Sequence, residues 1–314
     1  MNPLARLYGG ITRVRNEMYD RGTLKTRRLE GPVVSIGNLN VGGSGKTPFL
    51  IALGELLQQR GVKFDVLSRG YRRATKGVML VDANGSPRDF GDEPLLIARK
   101  LRVPVVVGED RYSAGELAER RFGPQLHLLD DGFQHRQLAR DFDIVLVNAS
   151  DVNDLLLPAG RLREPLSALS RAHAVVLTND TAPEGLPLSH QHLWRISRSI
   201  VAPSTSEPCV AFCGIARPQS FFADLAAAGI TIAGTRTFPD HHAYTSADVR
   251  RLLALRNQNS ATAFVTTEKD VTNLGALGEQ LAPLHVVPVR MQLENADAAI
   301  DALLAKLQSK YSLT

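Results

Sequence analysis

Short runs of apolar, mostly β-branched residues recur along this chain, separated by stretches whose apolar positions return every three or four residues. Val33-Val34-Ser35-Ile36, Phe64-Asp65-Val66-Leu67, Val103 to Val107, Leu126 to Leu129, Ile144 to Val147 and Ala174 to Leu177 are of the first kind and predict strands, with a shorter one over Val78 to Val81. Lys46 to about Gln59, Asp92 to Arg99 and Tyr112 to Arg121 are of the second kind and predict helices. Strands that are apolar throughout, rather than on alternate residues, are covered on both faces, so the pattern predicts an α/β fold with a mostly parallel sheet and helices on either side. After His192-Leu193-Trp194-Arg195-Ile196 a second, smaller α/β set begins: Cys209 to Phe212, Thr231-Ile232-Ala233, Phe264-Val265-Thr266, Val286 to Val289 and a helix over Ala296 to Leu307. This places a boundary near residue 200 and three parts along the chain, 1–30, 31–200 and 201–314. A cleft between two such α/β units is a natural meeting place for two substrates.

With 44% hydrophobic residues in 314, the chain can bury a substantial core. Cys209 and Cys213 sit four residues apart on a predicted strand, roughly 13 Å at the usual rise, too far to bridge; two buried thiols fit a reducing compartment. No apolar run reaches the roughly 18 residues of a membrane span, and Arg6, Gly9, Gly10, Arg13 and Arg15 interrupt any cleavable signal. The net charge of +5 is concentrated at one end, because residues 1–30 carry seven basic side chains against three acidic ones. A nucleic-acid surface is therefore a poor account of the charge. Leu4, Leu7, Tyr8, Ile11, Val14 and Met18 fall at helical spacing with Arg6 and Arg13 on the opposite side. Residues 1–28 are thus predicted to form an amphipathic helix, lying on an anionic membrane surface or packed on the core.

The sharpest chemical signal follows the first strand: Gly37-Asn38-Leu39-Asn40-Val41-Gly42-Gly43-Ser44-Gly45-Lys46-Thr47. A glycine-rich turn between a strand and a helix lets successive backbone N–H groups face a polyanion, and the helix N-terminus adds its dipole. Asn40 to Thr47 are therefore expected to bind ATP, Lys46 reaching the β- and γ-phosphates and Thr47 ligating Mg²⁺. The strict phosphate-loop pattern has glycine where this chain has Asn40, which is expected to replace it by tolerating left-handed backbone. Val41 stands where dimeric ATPases carry a lysine, and no Asn-Lys-x-Asp is present to read guanine, so ATP is favoured over GTP. A kinase, a ligase for a small molecule and a partner-regulated ATPase all remain open at this point.

Asp130 and Asp131 end an apolar run, where a phosphate-loop protein places its Mg²⁺-organising acid, and Gln134 and His135 follow closely. Gly91-Asp92-Glu93-Pro94 reads as a helix start with Asp92 as N-cap. Arg161, Arg163 and Glu164 lie in a loop after Pro158-Ala159-Gly160, and arginines there suit phosphate oxygens. Arg69, Tyr71 and Arg111 lie just past predicted strands, at the sheet edge where ligands bind. Asp240-His241-His242 is a weak metal pattern without companion aspartates.

GNLNVGGSGKTP, LSRGY (67–71), GDEP (91–94), DDGFQH (130–135), LLPAGRLREP (156–165), FPDHHAY (238–244) and TEKD (267–270), in this order, resemble the tetraacyldisaccharide 4′-kinase family. The resemblance implies a peripheral enzyme at the cytoplasmic face of the bacterial inner membrane that phosphorylates an acylated disaccharide precursor of lipid A with ATP and Mg²⁺. It implies that Asp92 deprotonates the acceptor hydroxyl with help from His241; Arg69, Tyr71, Arg111, Gln134, Arg163 and Glu164 are the candidates for contacts to substrate or phosphate. Two departures stand out: Asn273 replaces a lysine common shortly after TEKD, and Gly70-Tyr71-Arg72-Arg73 lacks a second glycine.

Overall fold

A computed structural model describes residues 3–123 and 125–311. Met1, Asn2 and residues 312–314, which the sequence reading assigned to the terminal parts, lie outside the described residues. Nine strands form the larger sheet: β1 (Val33–Asn38), β2 (Phe64–Ser68), β3 (Met79–Leu80), β4 (Val105–Val107), β5 (Leu126–Asp130), β6 (Phe142–Val147), β7 (Ala174–Thr178), β8 (His192–Ile200) and β13 (Val289–Leu293). Their order is β13-β8-β7-β6-β1-β5-β2-β4-β3, parallel throughout except for the two edge strands β3 and β13. The smaller sheet has the order β10-β9-β11-β12, from β9 (Cys209–Cys213), β10 (Ile232–Thr237), β11 (Ala263–Thr267) and β12 (Leu284–Val287), all parallel. Both cysteines are free and buried.

The unbroken apolar runs have a direct explanation. Alternate residues of one strand enter opposite layers. Val34, Ile144, Leu146 and Val176 pack with Phe49, Leu50 and Leu53 of α2 (Lys46–Gln59), whereas Val145, Val147 and Val175 join Leu39, Phe133 and Leu162 on the other side. Val33, Leu67 and Val106 meet Ala114 and Ala118 of the helix over Arg111–Phe122. In chain order, the helices are α1 (Pro3–Asp20), α2, α3 (Pro87–Phe90), α4 (Asp92–Leu101), α5 (Arg111–Phe122), α6 (Ala149–Val152), α7 (Pro218–Ala227), α8 (Ser246–Gln258), α9 (Glu268–Leu274) and α10 (Ala296–Gln308).

Two boundaries differ from the sequence expectation. The end of the chain does not stay with the smaller sheet: β13 pairs with β8, and Ala299, Ile300, Leu303 and Leu307 of α10 enter the same layer as α2. The apolar face of α10 fits the open flank of the large sheet, and Pro288 separates the strand that stays from the strand that returns. At the other end, the first helix stops at Asp20, where Gly22 turns with φ 71°, rather than continuing to residue 28. Arg27 and Arg28 therefore lie off the helix and pair with Asp110 and Asp141.

Near the amino-terminal end of β5, away from the phosphate loop, lies a buried ion triad. His127 of β5 has Nδ1 2.8 Å from Asp65 Oδ1 and Nε2 3.2 Å from Glu119 Oε1. Burial alone would lower its pKa, but two flanking carboxylates outweigh it and push the imidazole up to about 9. A group whose folded pKa lies above its unfolded 6.5 stabilises fully below 6.5 and loses that contribution as pH rises through about 9. The melting temperature is thus expected to fall between pH 7 and 9.5, by an amount on the order of 3 kcal/mol of stability at most. In His127→Gln that slope should vanish. A wild-type melting curve that is flat across this window would remove the imidazolium from the triad.

Candidate functional site

β1 lies in the middle of the large sheet, between β5 and β6, and the loop at its carboxyl end runs into α2. Gly42, Gly43 and Gly45 adopt φ of 80°, 65° and 82°, so the turn needs residues without Cβ. A Cβ at Gly45 would also approach Met291 Cε to 2.7 Å, and one at Gly43 would come 3.2 Å from Ala216 Cβ, so β13 and the loop after β9 both lie against the turn. Gly37 is required for a different reason: a Cβ there would sit 2.5 Å from Phe133 Cβ, where the DDGF turn packs onto β1.

Asn40 has a role other than the expected one. It is absent from the left-handed residues, wholly buried, and bridged to Leu162 as an isolated β-pair. Its Nδ2 donates to Asp151 Oδ1 at 2.5 Å and its Oδ1 accepts from Asn38 Nδ2 at 2.8 Å. Asn38 Nδ2 also donates to Ser44 Oγ at 2.7 Å. An asparagine can hold both partners at once where glycine could hold neither, so the turn is braced from inside.

Lys46 Nζ donates to Asn38 Oδ1 at 3.2 Å and lies 3.4 Å from Asp131 Oδ1. Arg163 reaches the same two groups, with NH1 3.0 Å from Asp131 Oδ2, NH2 2.8 Å from Asp131 Oδ1, and a further bond to Asn38 Oδ1. Asp131 has φ 49°. Burial would raise its pKa, yet Lys46 and Arg163 hold it well below the usual carboxylate range. Asp130 is the opposite case. One of its oxygens accepts from Ser68 Oγ at 2.9 Å, while Oδ1 is buried without a hydrogen-bond partner. Burial, with the negative charges of Glu93 and Asp131, pushes its carboxyl up to about 7. An orphaned buried oxygen in a carboxylate beside a phosphate loop fits a divalent cation. Mg²⁺ characteristically takes one or two carboxylates, with nucleotide phosphates and water completing its shell.

Asp92 and His241 come from different units and meet. Gly91, not Asp92, occupies the N-cap position of α4, because its φ of 91° and ψ of 150° suit glycine. Asp92 is the first helical residue, and its Oδ1 accepts from the Glu93 amide at 2.9 Å. His241, in the loop after β10, places Nδ1 3.0 and 2.8 Å from the two Asp92 oxygens. Asn273 Nδ2 donates to Asp92 Oδ2 at 3.1 Å, so the departure noted near TEKD contacts this carboxylate directly. Burial would raise the Asp92 pKa, but His241, Lys269 and Asn273 together leave it lowered. His242 turns away to Asp248, 3.1 Å from Nε2, so the two histidines do not form a common ligand set.

The remaining candidates divide. Glu164 is buried with its oxygens on Arg171 (3.1 and 2.8 Å) and Asn16 (2.6 Å), so it fixes its loop rather than facing the phosphate turn. Gln134 Nε2 donates to the carbonyl of Asn38 at 2.9 Å and steadies the end of β1. Arg111 is buried at the start of α5; NH1 donates to the Glu109 carbonyl at 2.8 Å and Nε has no partner. Arg69 is exposed close enough to lower the Arg111 pKa, after burial the second cause. Tyr71 is 52% exposed, with its ring edge-on to His241 at 5.5 Å. Residues without a sequence prediction also enter: Asn38, Asp151, Arg171 and Lys269. Asn38 and Lys269 lie within the GNLNVGGSGKTP and TEKD motifs without having been assigned a role, Asn148 and Asp151 form a capping box, and Arg171 had no signal.

The family model Tetraacyldisaccharide-1-P 4′-kinase matches residues 1–308. A tetraacyldisaccharide 4′-kinase of Koribacter versatilis is 50% identical over 320 residues, covering 99% of both chains. One from Aquifex aeolicus is 37% identical, covering 87% of this chain and 88% of its own. The crystal structure of the "apo" form of LpxK from Aquifex aeolicus in complex with ATP superposes with a TM-score of 0.79 at 34% identity, over 97% of this chain and 98% of that one. The turn between β1 and α2, the acid pair at the end of β5 and the Asp92–His241 contact are thus features of a chain that belongs to the tetraacyldisaccharide-1-phosphate 4′-kinase family.

Proposed function

We propose that this chain transfers the γ-phosphate of ATP to the 4′-hydroxyl of a tetraacyldisaccharide 1-phosphate, in lipid A biosynthesis, with Asp92 as the base. The observation that carries the assignment is the contact of Asp92 with His241 across two units, in a chain that also holds an intact phosphate turn. Asn40 to Thr47 cradle the triphosphate through their backbone N–H groups, and Lys46 with Arg163 balances charge on the transferring phosphoryl group. Bound Mg²⁺ would be held by the Thr47 hydroxyl and the acid pair, with Asp130 favoured by its partnerless oxygen, and would neutralise phosphate charge. Asp92 takes the proton of the acceptor hydroxyl as its oxygen bonds to phosphorus, and His241 steadies the carboxylate. Arg69, Tyr71 and Arg111 line the approach for substrate. Transfer of labelled γ-phosphate from ATP to purified acylated disaccharide tests the activity. ATP turnover that is equally fast without that acceptor would favour an ATPase instead.

The membrane face rests on α1. Leu4, Leu7, Ile11 and Val14 are between 57% and 62% exposed, so this part of the apolar stripe points away from the protein, whereas Tyr8 and Met18 of the same stripe are half-buried and no residue of α1 is fully buried. The flank that carries Tyr8 and Asn16 is tied to the active-site loop: Tyr8 Oη donates to the Arg163 carbonyl at 3.1 Å, and Asn16 to Glu164. Among the described residues no helix is long and apolar enough to cross a membrane. These features support a helix lying on the anionic cytoplasmic leaflet while holding the loop that carries Arg163. The attraction is more apolar than charge-driven, because Arg6, Arg13 and Arg15 are the helix's only cations and Glu17 and Asp20 oppose them. Replacing Leu7 and Ile11 together with aspartate is expected to weaken cosedimentation with anionic vesicles at least tenfold, since each exposed aliphatic contributes about 1.5–3 kcal/mol when buried. KM for lipid should rise while ATP affinity holds. Unchanged vesicle binding would leave α1 without a membrane role.

A further inference from the structure

Lys269 belongs to the TEKD segment and opens α9, and the roles above do not use it. Its Nζ lies 3.2 Å from Nε2 of His241, 3.0 Å from Asp240 Oδ1, 3.7 Å from Glu93 Oε1 and 3.9 Å from Asp92 Oδ2. The other nitrogen of the ring, Nδ1, faces the two oxygens of Asp92. An ammonium only donates and an ionised carboxylate only accepts. Between these two partners a single neutral form of the imidazole is satisfied: the proton on Nδ1, donated to Asp92, and the lone pair on Nε2, accepting from Lys269. The reverse tautomer would point N–H at an ammonium and a lone pair at a carboxylate.

We propose that Lys269 is a positioning residue that locks His241 in the Nδ1–H tautomer, with that N–H held on Asp92, and keeps the Asp92 carboxylate ionised to take the proton of the acceptor hydroxyl. This deepens the reading of Asp92 as the base and rests on it. In the step, the acceptor O–H bond breaks and an Asp92 O–H bond forms. The acceptor oxygen bonds to the γ-phosphorus as the bridging P–O bond to ADP breaks, and the proton later leaves Asp92 to water. Without the ammonium 3.9 Å from its Oδ2, the Asp92 carboxylate would hold a proton at higher pH and fewer molecules would carry the free base.

The surroundings keep the lysine charged and close. Burial disfavours its ammonium, but Glu93, Asp92 and Asp240 outweigh this and raise its pKa. The groups facing His241 are Asp92 and Glu93 from α4, Asp240 from its own loop, Lys269 and Asn273 from α9, and Tyr71 and Arg72 from the loop after β2. Arg72 faces Asp240 through that residue's carbonyl, at 2.7 Å, and not through its carboxylate. Lys269 is a cation within hydrogen-bond reach of the ring. His241 itself has φ 58°, a backbone state that fixes where the ring can point, and its amide donates to the Gly214 carbonyl at 3.2 Å.

Two measurements on the full chain test the lock. In the ¹⁵N spectrum of histidine-labelled wild-type protein near pH 8, Nε2 of His241 should resonate as an unprotonated nitrogen and Nδ1 as a protonated one. In kcat/KM profiles against pH, Lys269→Met should move the acidic limb upward, because the cation that lowers the Asp92 pKa is lost. Lys269→Arg, which keeps a cation, should stay near the wild-type limb. A lysine that merely braces α9 against α4 would change melting temperature and leave the limb in place. An Nε2–H tautomer in the wild type overturns the proposal, as does a Lys269→Met limb at the wild-type position. If Lys269→Met does not fold, the wild-type spectrum decides. Asp92→Asn separates the two readings: retained turnover there defeats the base assignment, whereas lost turnover with an unmoved Lys269→Met limb defeats the lock alone.

Discussion

Asp92→Asn is expected to lower kcat by about 10²–10⁴-fold, the range a general base contributes, while ATP affinity stays near that of the wild type. The substitution keeps the shape of the side chain and the acceptor for the Glu93 amide, which lies 2.9 Å from Asp92 Oδ1. It removes the negative charge and turns one oxygen into a donor facing His241 Nδ1 and Asn273 Nδ2, both within 3.1 Å of Asp92 Oδ2. Some stability is therefore lost with the activity, on the order of 1 kcal/mol for a mismatched hydrogen bond. The decisive comparison is single-turnover phosphoryl transfer with ATP and lipid both saturating. Near-normal transfer in a folded variant would mean that Asp92 does no more than start α4. His241→Ala should lose less than Asp92→Asn, because the histidine acts on the carboxylate and not on the substrate.

Lys46→Ala is expected to cost about 10²-fold or more in kcat, the usual loss when one electrostatic donor to a developing charge is removed. Lys46 is held where it can act: Asn38 and Asp131 fix its ammonium from one side, at 3.2 and 3.4 Å. Asp131 would still have Arg163 in the variant, so the turn should survive and the loss should be chemical. Circular dichroism and ATP binding would establish the first point and steady-state turnover the second. More than about a tenth of wild-type turnover would be too much for a lysine that meets the transferring phosphate.

The sheet was legible because β1, β5 and β6 are buried along their whole length, and a strand buried on both faces has no alternative pattern to display. The helices over 46–59 and 296–308 were legible from their apolar spacing, but α7, α8 and α9 drew no helix prediction between the strands of the smaller sheet. The apolar stripe of α1 was visible as well. Periodicity shows that a helix has two sides without showing which one is covered, and here α1 docks through Tyr8 of the stripe and through Asn16, while Leu4, Leu7, Ile11 and Val14 and, on the polar side, Arg13 stay exposed. Among the site candidates, Lys46, Asp131 and Arg163 converge, as do Asp92 and His241, whereas Glu164 turned inward to Arg171 and Asn16.

By itself the sequence determined the phosphate turn, the parallel sheet that carries it and the motifs that resemble one kinase family. These are local properties: glycine where φ must be positive, apolar runs where both faces are covered, and residue types at fixed spacing. Only the tertiary structure decided which distant groups share a hydrogen bond. Asn40 with Asp151, Asp92 with His241 and Asn273, and His241 with Lys269 lie 111, 149, 181 and 28 residues apart. The same holds for the return of β13 and α10 to the large sheet. A hydrogen bond depends on where two backbones bring their side chains in space. That position is set by the packing of whole layers, which no spacing along the chain records.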